Sequence, residues 1–490
     1  MATNLETQAT GPTQGAASDS AVERFFHIRE RGSTMGTEVR GGLTTFIVMA
    51  YILFVNPTIL STLTQGKGPD FASTVTMTAL AAGVMTIAMG LYANYPFALA
   101  SGLGLNAVVA FELILGRGLP WQAAMGVIFI EGLVITVLVL TGFRQSVMIA
   151  IPMNLKRSIG VGIGLFILFI GLVNAGFVRV PLESIPIVGG QAVGQPAPPV
   201  TLGNLTGWPI VVSVLGLLFT SLLIARRVRG ALLIGIIGTT ILAVAIHYIV
   251  GADVSNVPGV QGGIPGQLPP PSFATFGAGL NLDVFRILAF ITAILVIFSI
   301  MLSDFFDTMG TVIGIGGKAG FLDEQGQLPG VNRVLLVDSL AATFGGLASA
   351  SSVTTYIESA SGVAEGARTG LASVVTGVLF LLAIALAPIA GIVPAEATAP
   401  ALIIVGFLMA SIIRDIDFSS ADDGLPALLA ITVMPFTFSI TNGIGAGFVL
   451  YTFLKVVSGK AAQVHWMMYL VSAAFVLYFA LGFLHSTFGI

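Results

Sequence analysis

The sequence predicts an all-α polytopic membrane protein with about fourteen transmembrane spans. Three observations lead there. The chain is 55% apolar and only 9% charged, with a mean hydropathy of +0.98, whereas soluble domains carry about 25% charge. Apolar runs of about 18 residues or more, each able to cross about 30 Å of hydrocarbon as a helix, recur from Leu43 onward. Lys and Arg fall in alternate loops, the bias that orients spans with their basic ends in the cytoplasm.

The chain begins with a polar, Gly/Ser/Thr-rich tail, residues 1–42, lacking the basic-then-apolar pattern of a cleaved signal peptide. Within it, Val22 to Arg31 mixes Phe25, Phe26 and Ile28 with charges, which suits a short helix at the membrane surface. The expected spans then run Leu43–Thr62, Ser73–Leu91, Ala98–Leu113, Ala123–Thr141, Gly160–Ala175, Ile210–Ile224 and Ala231–Val250. After a Gly/Pro loop, Gly251–Gly277, come Phe285–Ile313, Val334–Ala348, Val353–Gly362, Leu371–Ile392, Ala401–Ile413, Leu425–Ile440, Gly443–Val457 and Tyr469–Phe483.

With the tail in the cytoplasm, Arg144, Lys156 and Arg157 follow the fourth span, and Arg226, Arg227 and Arg229 the sixth. Lys318 and Arg333, Arg368, Arg414, then Lys455 with Lys460 continue the alternation. The stretch Trp466 to Phe483 is left over as an extra helix at or in the membrane. Setting Ile151-Pro152 on Val393-Pro394 aligns Gly164 with Gly406, a weak internal echo. The midpoint of the chain falls after about seven spans, and an odd number per half forces the halves into opposite topology.

Two segments do not read as ordinary spans. Tyr95 to Asn106 combines Pro96, Gly102 and Gly104, and Gly346 to Gly362 is full of small hydroxylated residues around the β-formers Val353 to Ile357. Irregular backbone at membrane depth survives only where protein or a water-lined cavity satisfies its N–H and C=O groups. A binding site between the two halves is therefore expected.

Ser303 to Thr311 places two carboxylates inside an apolar run, and Asp304, Asp307, Thr308 and Thr311 share one helical face. A carboxylate near the bilayer centre costs several kcal/mol unless paired, solvated or protonated. Asp307 is assigned to the ligand and Asp304 to a structural or proton-relay role, and Asp307 and Asp304 are, with Glu358, the candidates for proton coupling. Glu358, with Ser359 and Ser361 beside it, lies in the second broken segment, where a carboxylate can accept N–H donors of a planar heterocycle or hold the coupling proton. Asn106 ends the first broken segment and offers both donor and acceptor. Glu131 and Asp338 are read as packing or gating residues, and Glu112 as interfacial. His247, the one histidine within a span, reads as a packing residue. No histidine pair suggests a metal, and the absence of cysteine excludes disulfides and thiolate sites. The net charge of −3 carries no sign of a nucleic-acid partner.

The strings GLTTFIVMAYILFVNP (Gly42–Pro57), YPFALASGLGLNA (Tyr95–Ala107), FFDTMGT (Phe305–Thr311) and YIESASGV (Tyr356–Val363), in this order and spacing, resemble the AzgA-like purine permeases of the nucleobase-ascorbate transporter superfamily. The resemblance implies fourteen spans as two inverted seven-span repeats, with short strands in the third and tenth spans. It implies a core domain (43–142 and 284–392) and a gate domain (143–251 and 393–460) that also makes a homodimer contact. The tail, the loop 252–283 and the extra helix 461–490 lie outside both. By the same resemblance Asp307, Glu358 and Asn106 hold the ligand, and adenine, guanine and hypoxanthine are imported by proton symport, with no cofactor. A multi-pass plasma (inner) membrane location follows. Where the family commonly has an aromatic after the asparagine, Val108 and Val109 stand here. Phe305, Phe306, Tyr356 and Phe97 remain as stacking partners.

Competing readings are a transporter of uracil, xanthine or an anion on the same scaffold, and an intramembrane aspartyl hydrolase. Two acidic residues at the site would repel an anion. The hydrolase needs carboxylates facing each other from separate helices, whereas Asp304 and Asp307 share one turn. An ATP-driven pump lacks its phosphate loop, since Lys318 is followed by Ala319.

Overall fold

A computed structural model describes residues 20–141, 150–179, 187–188, 191–192, 200–255, 264, 270–323 and 328–488. The first 19 residues of the tail, Arg144, most of the loop before Ser272 and the Lys318 side chain lie outside the described residues. Among those described, ten helices are long and apolar enough to cross a membrane.

Chain order begins with α1 (Ala21–Phe26), closed by a capping box between Ser20 and Glu23. Phe26 and Ile28 bury against Leu371, so this amphipathic stretch docks on the helical body. The spans of the first half are α2 (Met35–Thr62), α3 (Phe71–Ala93), α4 (Leu103–Gly116), α5 (Trp121–Leu140), α6 (Met153–Asn174), α7 (Trp208–Ala225) and α8 (Ala231–Val250). The second half has α9 (Phe290–Ala319), α10 (Val331–Leu347), α11 (Ser359–Ala364), α12 (Gly370–Ala390), α13 (Ala395–Asp415), α14 (Ala421–Thr437), α15 (Ile440–Val457) and α16 (Trp466–Phe488).

Several helices start earlier than their apolar runs, because polar first turns find partners. Thr34 caps α2, accepting from the Thr37 N–H. The buried carboxylate of Glu38 accepts from the N–H groups of Arg368 and Thr369, which lets the helix begin before Leu43. Pro152 and Pro394 stand just before α6 and α13. The expected eighth span begins later than Phe285, since the turn Val284–Ile287 is separated from α9 by extended Leu288 and Ala289.

Among the described residues, six short strands complete the fold. Between α6 and α7, β2 (Val178–Arg179) pairs with β5 (Thr201–Leu202), and β3 (Ile187–Val188) with β4 (Gln191–Ala192). The two segments expected to break do so and meet. β1 (Leu99–Ser101) pairs antiparallel with β6 (Val353–Thr355), in register Leu99↔Thr355, Ala100↔Thr354 and Ser101↔Val353.

A two-stranded ribbon inside a membrane protein leaves outward N–H and C=O groups that no water reaches. Side chains satisfy them. The hydroxyl of Thr86 accepts from the Leu99 N–H at 2.9 Å and donates to the Leu99 carbonyl at 3.0 Å. Ser359 Oγ accepts from the Ala98 N–H at 2.9 Å, and Asp338 Oδ1 from the Thr355 N–H at 2.9 Å. The ribbon is thus held by α3, α10 and α11, and it places α4 and α11 immediately after its strands.

Small residues let the main helices touch backbone to backbone. A Cβ on Gly406 would lie 2.6 Å from the Gly164 carbonyl, so the two glycines of the sequence echo face each other where α6 crosses α13. Gly90 and Gly370 do the same for α3 and α12, at 2.0–2.4 Å. At the end of the chain α14 and α15 form an antiparallel hairpin, closed by Lys455 on Asp422 and Asp423 at 2.9 Å each. The leftover C-terminal stretch is a helix of 23 residues. It lies along α15, joined through Ser472 to Thr452 and through Tyr478 to Asn442.

Candidate binding site

The site forms where α9 passes the ribbon and the helices that leave it. Asp307 on α9 and Glu358 at the head of α11 are both only partly buried, with exposed Ile357 beside Glu358. The hydroxyl of Tyr51, at the bend of α2, donates to Glu358 Oε1 at 2.7 Å. Tyr51, Tyr356, Asp307 and Glu358 lie within electrostatic reach of one another. Tyr356 is fixed by donating its hydroxyl to the Ser101 carbonyl on the facing strand.

Most of the remaining candidates have partners of their own. Thr308 is buried and donates to Asp338 Oδ2 at 2.7 Å, while Thr355 donates its hydroxyl to Asp338 Oδ1 at 2.8 Å. Asp338 therefore clamps α9 to β6 from α10. Ser359 holds Ala98, as described, and Ser361 sits half-buried on α11. Phe305 is buried edge-on to Phe306, with ring centroids 5.2 Å apart. Phe97 is buried and stacks on Tyr95. Asn106 on α4 is buried, and neither its Oδ1 nor its Nδ2 has a hydrogen-bond partner. Val108 and Val109 behind it are fully buried.

Asp304, one turn before Asp307, has different surroundings. It is buried, accepts from the Ser352 hydroxyl at 3.1 Å, and faces Glu131 of α5. The two aspartates of the SDFFDTMGT stretch thus point into separate environments.

This arrangement can bind a planar polar molecule. Two carboxylates can accept N–H groups, and the rings of Tyr51 and Tyr356 lie close to both. Tyr51 was not among the residues picked from the sequence. The available signal was a lone phenol in the middle of the motif Gly42–Pro57, since a hydroxyl at that depth needs an acceptor. Among the described residues no group of three or more His, Asp or Glu is placed to hold a metal ion.

The model of the Permease family matches residues 36–445. Over its length the chain is 41% identical to a putative permease of Methanocaldococcus jannaschii, covering 94% of this chain and 98% of the relative. It is 39% identical to the guanine/hypoxanthine permease PbuG of Bacillus subtilis (94% and 99% covered) and 38% identical to the adenine permease AdeP of Escherichia coli (96% and 98% covered). Among solved structures, the transmembrane domain of the cyanobacterial bicarbonate transporter BicA superposes with a TM-score of 0.57 at 15% identity, covering 84% of this chain and 97% of that one. That likeness is one of fold.

Proposed function

This chain belongs to the Permease family, a family of transporters rather than enzymes, and from that premise we propose that it imports purine nucleobases by proton symport. The observation that carries the reading is the pair of partly buried carboxyls, Asp307 and Glu358, within electrostatic reach of one another beside a broken-helix ribbon, in a chain similar over more than nine-tenths of its length to adenine and guanine/hypoxanthine permeases. Glu358, oriented by Tyr51, accepts N–H donors from one edge of the base. Asp307 meets a second edge, and Asn106 supplies an amide to the network.

Transport proceeds by alternating access: the ribbon-bearing core carries the base past a gate built from α6 to α8 and α13 to α15. The protein is a plasma-membrane homodimer through that gate, with its N-terminus in the cytoplasm. Import of uracil, xanthine or an anion is the competing reading on the same fold.

Uptake tests this directly. Cells expressing the chain should accumulate labelled hypoxanthine or adenine, a protonophore should abolish the accumulation, and unlabelled purines should compete where uracil does not. Uptake that ignores the proton gradient, or that uracil suppresses, contradicts the reading.

A further inference from the structure

We propose that the coupling proton is carried by the facing carboxyls of Glu131 and Asp304, at a site separate from the carboxyls that meet the base. The proposal rests on the proton-symport reading above and assigns a residue to its coupling step.

Glu131 lies midway along α5 and is fully buried, and neither of its oxygens accepts from any N–H or hydroxyl. Asp304 is 1% exposed, and its Oδ1 also lacks a donor, while Oδ2 accepts from Ser352. The two carboxyls face each other across the α5–α9 contact.

Among the described residues no cation acts on either carboxyl. From α10 the facing group is Asp338, already engaged by Thr308 and Thr355. From the α4 side the charged group is Glu112, held by Arg117 and by the Ile440 N–H. Asp283 and Arg286, on the turn that packs against α5, pair with each other at an exposed end. A buried carboxylate without donors costs several kcal/mol even after the protein relaxes. Two facing carboxyls bond to each other only when at least one carries a proton. Carboxyl oxygens that no N–H or hydroxyl reaches are costly as packing, and an ionisable group inside a membrane protein is by default part of a path.

The step is a protonation and its reversal. An O–H bond forms on one carboxyl when a proton enters from the outer side and breaks when it leaves inward, so the pair changes by one charge and nothing else is consumed. Asp304 stands one helical turn from Asp307 and is tied through Ser352 to the approach of β6. The charge on the pair is thereby linked to the ribbon that bears Tyr356 and leads to Glu358.

The test uses the full chain in proteoliposomes, comparing the parent with Glu131→Gln. The variant should still exchange labelled hypoxanthine for unlabelled hypoxanthine across the membrane. Its uphill accumulation under an inward proton gradient should fall to background, and the proton entry that accompanies hypoxanthine, read by an internal pH dye, should vanish. Accumulation with the parent's gradient dependence overturns the assignment. Should the Gln variant not reach the membrane, Glu131→Asp replaces it: a shifted pH profile of accumulation supports the proposal, and an unchanged profile overturns it. A parent that moves hypoxanthine without protons removes the symport reading itself. A proton-coupled parent beside an unaffected Gln variant removes only the role of Glu131.

Discussion

At the scale of single residues, Glu358 depends on a neighbour that carries no charge. The Tyr51 hydroxyl donates to one carboxylate oxygen, and in the proposed reading the other meets the ligand. Tyr51→Phe should therefore raise the apparent KM for hypoxanthine by roughly tenfold, the effect of one hydrogen bond to a charged group, with the amount of protein in the membrane unchanged; uptake kinetics check it. Glu358→Gln and Asp307→Asn each replace an acceptor by a group that also donates. Each should weaken binding by roughly ten- to a hundredfold, from about 1.5–3 kcal/mol per lost bond, measurable by ligand binding to purified protein. Near-normal binding by Asp307→Asn would move the ligand role elsewhere on α9.

At the scale of elements, the ribbon exists because side chains outside it complete its hydrogen bonds. Thr86 serves both backbone groups of Leu99. Thr86→Val keeps the shape and removes both bonds, so it should destabilise the protein by about 1–3 kcal/mol per unsatisfied group, seen as a lower Tm in detergent, and should reduce uptake with it. The α6–α13 crossing is equally local in cause. A Cβ on Gly406 would stand 2.6 Å from the Gly164 carbonyl and 2.5 Å from the Leu168 nitrogen, so Gly406→Val must part the helices. A loss of folded protein in size-exclusion chromatography is the expected result, and a normal profile would show that the crossing tolerates the displacement.

At the scale of the whole molecule, α2, the α7–α8 connection and α11 meet at one end of the bundle through Glu365, which pairs with Arg40 at 3.2 Å and with Arg229. Toward the other end, Arg117 after α4 donates to Tyr478 of α16 at 2.7 Å, and Glu112 accepts from the Ile440 N–H at 3.0 Å. The extra helix is thus built into a tie between the ribbon side and the α14–α15 hairpin. If the two sides move against each other during transport, joining them must stop it. The chain has no cysteine, so cysteines placed at Arg229 and Glu365 can be bridged cleanly by a bifunctional maleimide. Uptake should be lost in the bridged double variant and retained in either single one.

How much of this was legible in the sequence depended on the range of the physics involved. Membrane residence follows from composition, because no water-exposed surface can be made from a chain with 9% charge. The broken segments were readable too, since Pro, Gly and β-forming residues act on their own backbone whatever surrounds them, and Asp307 stood out as a carboxyl in an apolar run and Glu358 as one in a broken segment. Helix starts were misjudged wherever a distant partner accepted a polar first turn, as Arg368 and Thr369 do for Glu38. Tertiary structure alone decided the pairing of β1 with β6, the donation from Tyr51 to Glu358, and the separation of Asp304 from Asp307 into different surroundings. Those contacts join residues far apart in the chain, and a local pattern shows that a buried polar group needs a partner but not which one folding brings to it.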